Sequence, residues 1–165
     1  IRKEFVMALK NRPLGRLDGN TNYATHRFVI DDTIVITEGD FVYTNGTGEI
    51  TNATVAGKRL VGMALETATG NTASTVTALV CIDPTMRYLI DNDNDGTTFD
   101  ATHVLDNFDL IGATGAQLVD TSTTSTTGSL ICLEYNPQID PVKGDTSWGV
   151  YLIAENVFFT GTGGQ

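Results

Sequence analysis

The sequence predicts an all-β fold, a single-domain β-sandwich or β-barrel of short antiparallel strands with an extended N-terminal arm. Three observations carry that expectation. Short apolar runs recur along the 165 residues, each closed by glycine, asparagine or aspartate rather than extended into a helical repeat. Threonine makes up about one residue in six, and with valine it suits a pleated surface while straining against a helical turn. No stretch offers the helical crossover that a parallel sheet requires between its strands. A chain of this length fits one domain and can bury roughly two thirds of its unfolded surface, so its core needs no metal or disulfide staple. The expected division is an arm over residues 1–25, a β domain over 26–160 and a flexible glycine-rich tail over 161–165.

At the N-terminus, Ile1, Phe5, Ala8 and Leu9 fall at helix-like spacing among cations, but the run is too short to persist alone. Asn11-Arg12-Pro13 stops it, and Gly15, Asp18-Gly19 and Asn20 add turn chemistry. Residues 1–25 therefore read as an arm that gains order by lying on its own domain, another subunit or a partner. Strands are expected at 26–30 and 33–37, parted by Asp31-Asp32, and at 41–44 after the tight Glu38-Gly39-Asp40 turn. Asn45-Gly46 is a favourable hairpin dipeptide and leads to a weaker strand at 49–55. Stronger strands follow at 58–66 and 75–82 around the Gly70-Asn71 turn, and Asp83-Pro84 closes this half. The second half offers strands at 86–90, 108–111, 116–119, 130–135 and 147–153, with one helical turn within 100–106. Between them, residues 121–128 are a low-complexity Thr/Ser loop, and no fixed-period repeat is present.

The formal net charge of −10 argues against a nucleic-acid partner, because phosphate binding needs clustered Lys and Arg. The charge is unevenly placed. Arg2, Lys3, Lys10, Arg12 and Arg16 stand against Glu4 alone in the first sixteen residues, a net +4 that leaves −14 on the rest. Such a leader pairs with its own neighbours, docks on a different acidic surface or stays solvated. Arg2, Lys3, Phe5, Leu9, Lys10, Arg12 and Arg16 are accordingly the candidate contact residues. No apolar run approaches the eighteen or so residues that span a bilayer, and no membrane partner is expected.

Few residues suggest chemistry. Cys81 and Cys132 sit in apolar runs, LVCID and LICLEY, and read as free buried thiols, with a bridge between neighbouring strands as the alternative. His26 and His103 are isolated, and no nucleophile elbow or phosphate cradle accompanies them, so no catalytic residue is expected. Asp91, Asp93 and Asp95 fall in Asp91-Asn92-Asp93-Asn94-Asp95-Gly96, the first half of a calcium loop. The second half fails, since Thr102 stands where a bidentate glutamate belongs; a weak calcium site would need Asp100 or Asp106, and a solvated acidic turn is the plainer reading. Trp148, Tyr151, Phe158 and Phe159 suit a core or subunit boundary better than a sugar-stacking platform.

Glu38-Gly39-Asp40-Phe41-Val42, then Leu60-Val61-Gly62-Met63-Ala64-Leu65, then Thr75-Val76-Thr77-Ala78-Leu79-Val80, resembles the core of capsid cement, or head-decoration, proteins of tailed bacteriophages. The resemblance extends over about two thirds of the chain, through short motifs. It implies a non-enzymatic β domain that forms a homotrimer and clamps adjacent subunits of the major capsid protein. The implied location is the outer surface of the virion, with the host cytoplasm during assembly. A different class of function, a host-recognition or carbohydrate-binding β-module of a tail or cell-surface protein, would use the Asp91-to-Gly96 loop as a calcium-dependent element.

Overall fold

A computed structural model describes residues 10–53, 59–93, 99–122, 124, 128–140 and 142–154. Thirteen strands are described: β1 (Arg12–Arg16), β2 (Thr25–Val29), β3 (Val35–Ile36), β4 (Phe41–Thr44), β5 (Ile50–Asn52), β6 (Leu60–Ala64), β7 (Ala68–Thr69), β8 (Thr77–Cys81), β9 (Met86–Asp91), β10 (Asn107–Ile111), β11 (Leu118–Asp120), β12 (Leu130–Tyr135) and β13 (Trp148–Ile153). One turn of 3-10 helix, Ala101–His103, is capped by Asp100. The strands build a six-stranded sheet in the order β1-β9-β13-β12-β10-β11, a five-stranded sheet in the order β2-β8-β6-β4-β5, and the small pair β3-β7. Their ladders are antiparallel, and the arrangement is sandwich-like with no closed barrel among the described residues, which removes the barrel alternative there.

Alternation along the strands produces three apolar layers. Between the two large sheets, Phe41, Leu60, Met63 and Cys81 meet Tyr88, Ile90, Phe108, Leu130 and Tyr151. The opposite face of the five-stranded sheet buries Val42, Val61, Ala78 and Val80 against Ile30, Ile36 and Ile50. The outer face of the six-stranded sheet carries Leu89, Trp148 and Val150 with Leu14 of β1 packed beside them, covered by Val142 and Ile139. Each fully buried large side chain contributes on the order of 1.5–3 kcal/mol, so three such layers sustain the domain without cross-links.

Strand β6 shows why the middle of the five-stranded sheet is closely specified. Leu60 and Met63 share the inter-sheet layer although they lie three positions apart, which strict alternation forbids. The register jumps from Val42 opposite Gly62 to Tyr43 opposite Leu60, so Val61 is the extra residue of a bulge. That bulge turns Val61 to the far layer and restores the alternation on either side.

Part of the N-terminal arm belongs to the domain itself. Strand β1 pairs with β9, and Leu17 N–H donates to the Thr85 carbonyl at 2.9 Å. Pro13 has no N–H to contribute, which suits an edge strand. The other edge strand worth noting is β2. Ile30 N–H bonds the Val76 carbonyl and Ile82 N–H bonds that of Ala24, so the even-numbered peptide groups face β8. Those of Thr25, Arg27 and Val29 point outward along the edge.

Cys81 and Cys132 are free and buried, as their apolar runs suggested. Burial pushes the Cys132 thiol up to about 12 and also raises that of Cys81. A thiol held neutral in the fold keeps its proton more tightly than the unfolded chain does, so its contribution to stability is complete below the unfolded value near pH 8.5. That contribution falls as pH climbs from there toward 12, by up to about 1.4 kcal/mol per pH unit for one thiol. The expected result is a urea midpoint that drops between pH 8 and pH 10.5, with no reaction of either thiol with Ellman's reagent until the chain unfolds. A midpoint that rises over that range, or rapid labelling of the native protein, would contradict the burial described here.

Candidate functional site

The two large sheets are joined at one end by side chains that stand in for backbone partners. Asp40, 1 % exposed, ends the turn that precedes β4. Its carboxylate accepts the N–H of Thr37 at 2.8 Å, the N–H of Gly115 at 2.7 Å and the hydroxyl of Thr114. Thr114 and Gly115 belong to the turn between β10 and β11, so one carboxylate ties the two sheets together. A carboxylate with several such donors is satisfied without a cation.

Gln117 extends the same seam. Its Oε1 accepts the Phe41 N–H at 2.6 Å, and its Nε2 donates to the carbonyls of Phe41 and Ala53 at 3.0 Å each. The primary amide thereby reproduces the donor and acceptor pair of a neighbouring strand at the end of β4. Asn11 closes the arrangement from the N-terminal side: its Nδ2 donates to the Gln117 carbonyl at 2.8 Å, and its Oδ1 accepts the Asp91 N–H at 3.1 Å. Gly39 is required at this approach, since its φ is +93° and a Cβ there would stand 2.7 Å from the Asn11 carbonyl oxygen.

Beside the seam opens a cleft of about 270 Å³, with Lys10, Glu38, Asp91, Leu118 and Trp148 among its lining residues. Burial pushes the Asp91 carboxyl above the usual range, and the nearby Asp145 adds to the effect against a backbone N–H from Asn92. A raised carboxyl marks a place where negative charge is poorly compensated, so a cation brought there would be favoured. The chemistry on offer is binding: carboxylates and an indole around a recess that holds one or two side chains.

The structure distributes the sequence-predicted contact residues unevenly. Lys10 lines the cleft. Arg12 donates to the Asp140 carbonyl at 2.9 Å. Arg16 lies 3.4 Å from Asp83 and 3.5 Å from Asp18, and donates to Thr85 Oγ1 at 3.2 Å. Burial alone would raise Asp83, but Thr85 and the Arg16 guanidinium hold it below the ordinary carboxylate range. Arg12 and Arg16 thus already have partners within the domain. Arg2, Lys3, Phe5 and Leu9 lie outside the described residues.

The calcium residues are similarly divided. Asp91 ends β9, whereas the Asp93 carboxylate is occupied by the N–H and hydroxyl of Thr121 at 3.2 and 2.7 Å. Asn92 between them turns inward and accepts the Tyr151 hydroxyl at 2.5 Å. Asp95 lies outside the described residues, and among those described no three His, Cys, Asp or Glu side chains converge as a metal site. Trp148 and Tyr151 are buried in the packing layers, while Phe158 and Phe159 lie outside the described residues.

Sequence reasoning took Asp40 for a turn residue, placed Gln117 within a strand and read Asn11 only as part of the Asn11-Arg12-Pro13 stop. Only the polar interruption of the apolar run at Gln117 signalled anything. No protein-family model and no curated protein matches the chain.

Proposed function

We propose that the chain is a structural capsid cement protein of a tailed bacteriophage. It binds the outer surface of the head as a homotrimer and clamps adjacent subunits of the major capsid protein. One observation supports the reading above the others. The three segments that carry the resemblance run through β4, β6 and β8, which are successive neighbours in the five-stranded sheet. The motifs therefore belong to one continuous framework rather than to scattered loops.

Two further features agree with that role. The outward peptide groups of β2 offer an edge on which another chain's strand can add. A shell with many identical positions makes individually weak contacts effective. The test is sedimentation of purified heads with the full chain and with a chain lacking residues 1–9, a deletion that spares β1. The full chain should saturate the heads and the truncated one should fall well short. Failure of the full chain to sediment with heads would sink the reading; equal occupancy would leave cementing intact but remove the leader from it.

A further inference from the structure

The cleft at the seam is mostly acidic among its charged lining residues: Glu38 and Asp91 face it, with Asp145 close to Asp91, and Lys10 is the one cation among the described residues that line it. The rest of the chain supplies a counterpart. Residues 1–9 hold Arg2, Lys3 and Glu4 with the apolar Phe5, Val6, Met7 and Leu9, a basic and apolar segment that ends where the cleft begins.

The segment is badly suited to its own cleft. Residues 1–9 contain no Gly, Pro, Asn, Asp or Ser, so nothing in them favours a reversal. The seven steps from Lys10 back to Lys3 cover about 25 Å if extended and about 10 Å if helical. Without a reversal, either length lets Arg2 and Lys3 reach beyond the recess that Lys10 borders. A second molecule's recess imposes no such reversal.

We infer that this cleft receives the leader of a second copy of the chain, with Arg2 and Lys3 set against Glu38 and Asp91. The contact is head-to-tail: each molecule offers one leader and one cleft, so copies joined this way close into a ring when the rotation between them allows. The inference deepens the self-association in the reading above and does not depend on a capsid. It also sets positive charge against Asp91, whose carboxyl burial raises.

The test uses the full chain in sedimentation velocity at about 50 mM and about 500 mM salt. Wild type should associate at low salt and dissociate at high salt, where screening shortens to a few ångström. Glu38→Gln with Asp91→Asn should weaken association about tenfold, as should Arg2→Glu with Lys3→Glu, two modest ion pairs being worth about that much. Mixing the leader-reversed chain with a Glu38→Lys, Asp91→Lys chain should restore association between the two. The leader variants change no described residue, so a fold defect in the cleft variants leaves them as the deciding pair. Association that ignores both sets of variants overturns the inference and leaves self-association standing; a monomer at every concentration overturns both.

Discussion

Asp40→Ala should lower stability by about 3–5 kcal/mol and the melting temperature by roughly 10 °C, measured by urea and thermal unfolding. The magnitude follows from what is left behind. The N–H groups of Thr37 and Gly115 and the hydroxyl of Thr114 all lose their acceptor in a place almost closed to water. An orphaned buried donor costs about 1–3 kcal/mol, and here the bonds are to a charged acceptor. Asp40→Asn should cost roughly half as much, because the amide keeps one oxygen but sets an N–H against another donor. Combined with Gln117→Leu, the loss should differ from the sum of the two single losses, since both side chains hold the same hairpin turn. A loss below about 1 kcal/mol for Asp40→Ala would show that the seam contributes little.

Gly62→Ala should cost more than about 4 kcal/mol, a large part of the 5–15 kcal/mol available to a domain of this kind. A Cβ at Gly62 would lie 1.8 Å from the carbonyl oxygen of Cys81 and 2.9 Å from Val80 Cγ1. The obstacle is steric rather than torsional, and β6 is held between β4 and β8, so it has no direction in which to retreat. Gly46→Ala is the matched control. Its φ of +91° makes alanine strained there, but nothing stands within 4 Å, and about 1 kcal/mol covers the change. Circular dichroism and soluble yield distinguish the two; a folded Gly62→Ala protein melting within a few degrees of wild type would mean that β6 and β8 separate easily.

The strands were largely legible because their physics is local. Residues 41–44, 86–90 and 130–135 stand where β-branched and aromatic residues alternate between turn formers, and the structure places β4, β9 and β12 there. Strand β1 was not legible. Arg12-Pro13-Leu14-Gly15-Arg16 holds a proline and a glycine and reads as a breaker, and only its partner β9 makes it a strand. The short β7 has the same origin, since Ala68 and Thr69 are extended only because β3 lies beside them. The seam was hidden for a related reason. Asn11, Asp40 and Gln117 are polar residues next to turns, and nothing local distinguishes them from solvated ones. Their roles arise from partners up to 106 residues away.

The order of strands in the six-stranded sheet bears on how the chain is made. Strand β9 lies between β1, from the beginning of the chain, and β13, from Trp148–Ile153 near its end. During synthesis β9 can take β1 as a neighbour early, but its other side stays open until β13 has left the ribosome. The five-stranded sheet draws all its strands from Thr25 through Cys81 and has its full complement much sooner. Pairing between such distant segments is slow, commonly milliseconds to seconds once the chain is whole. The early sheet therefore waits with its inter-sheet face uncovered while residues 82–153 are made, a period in which that face is open to aggregation.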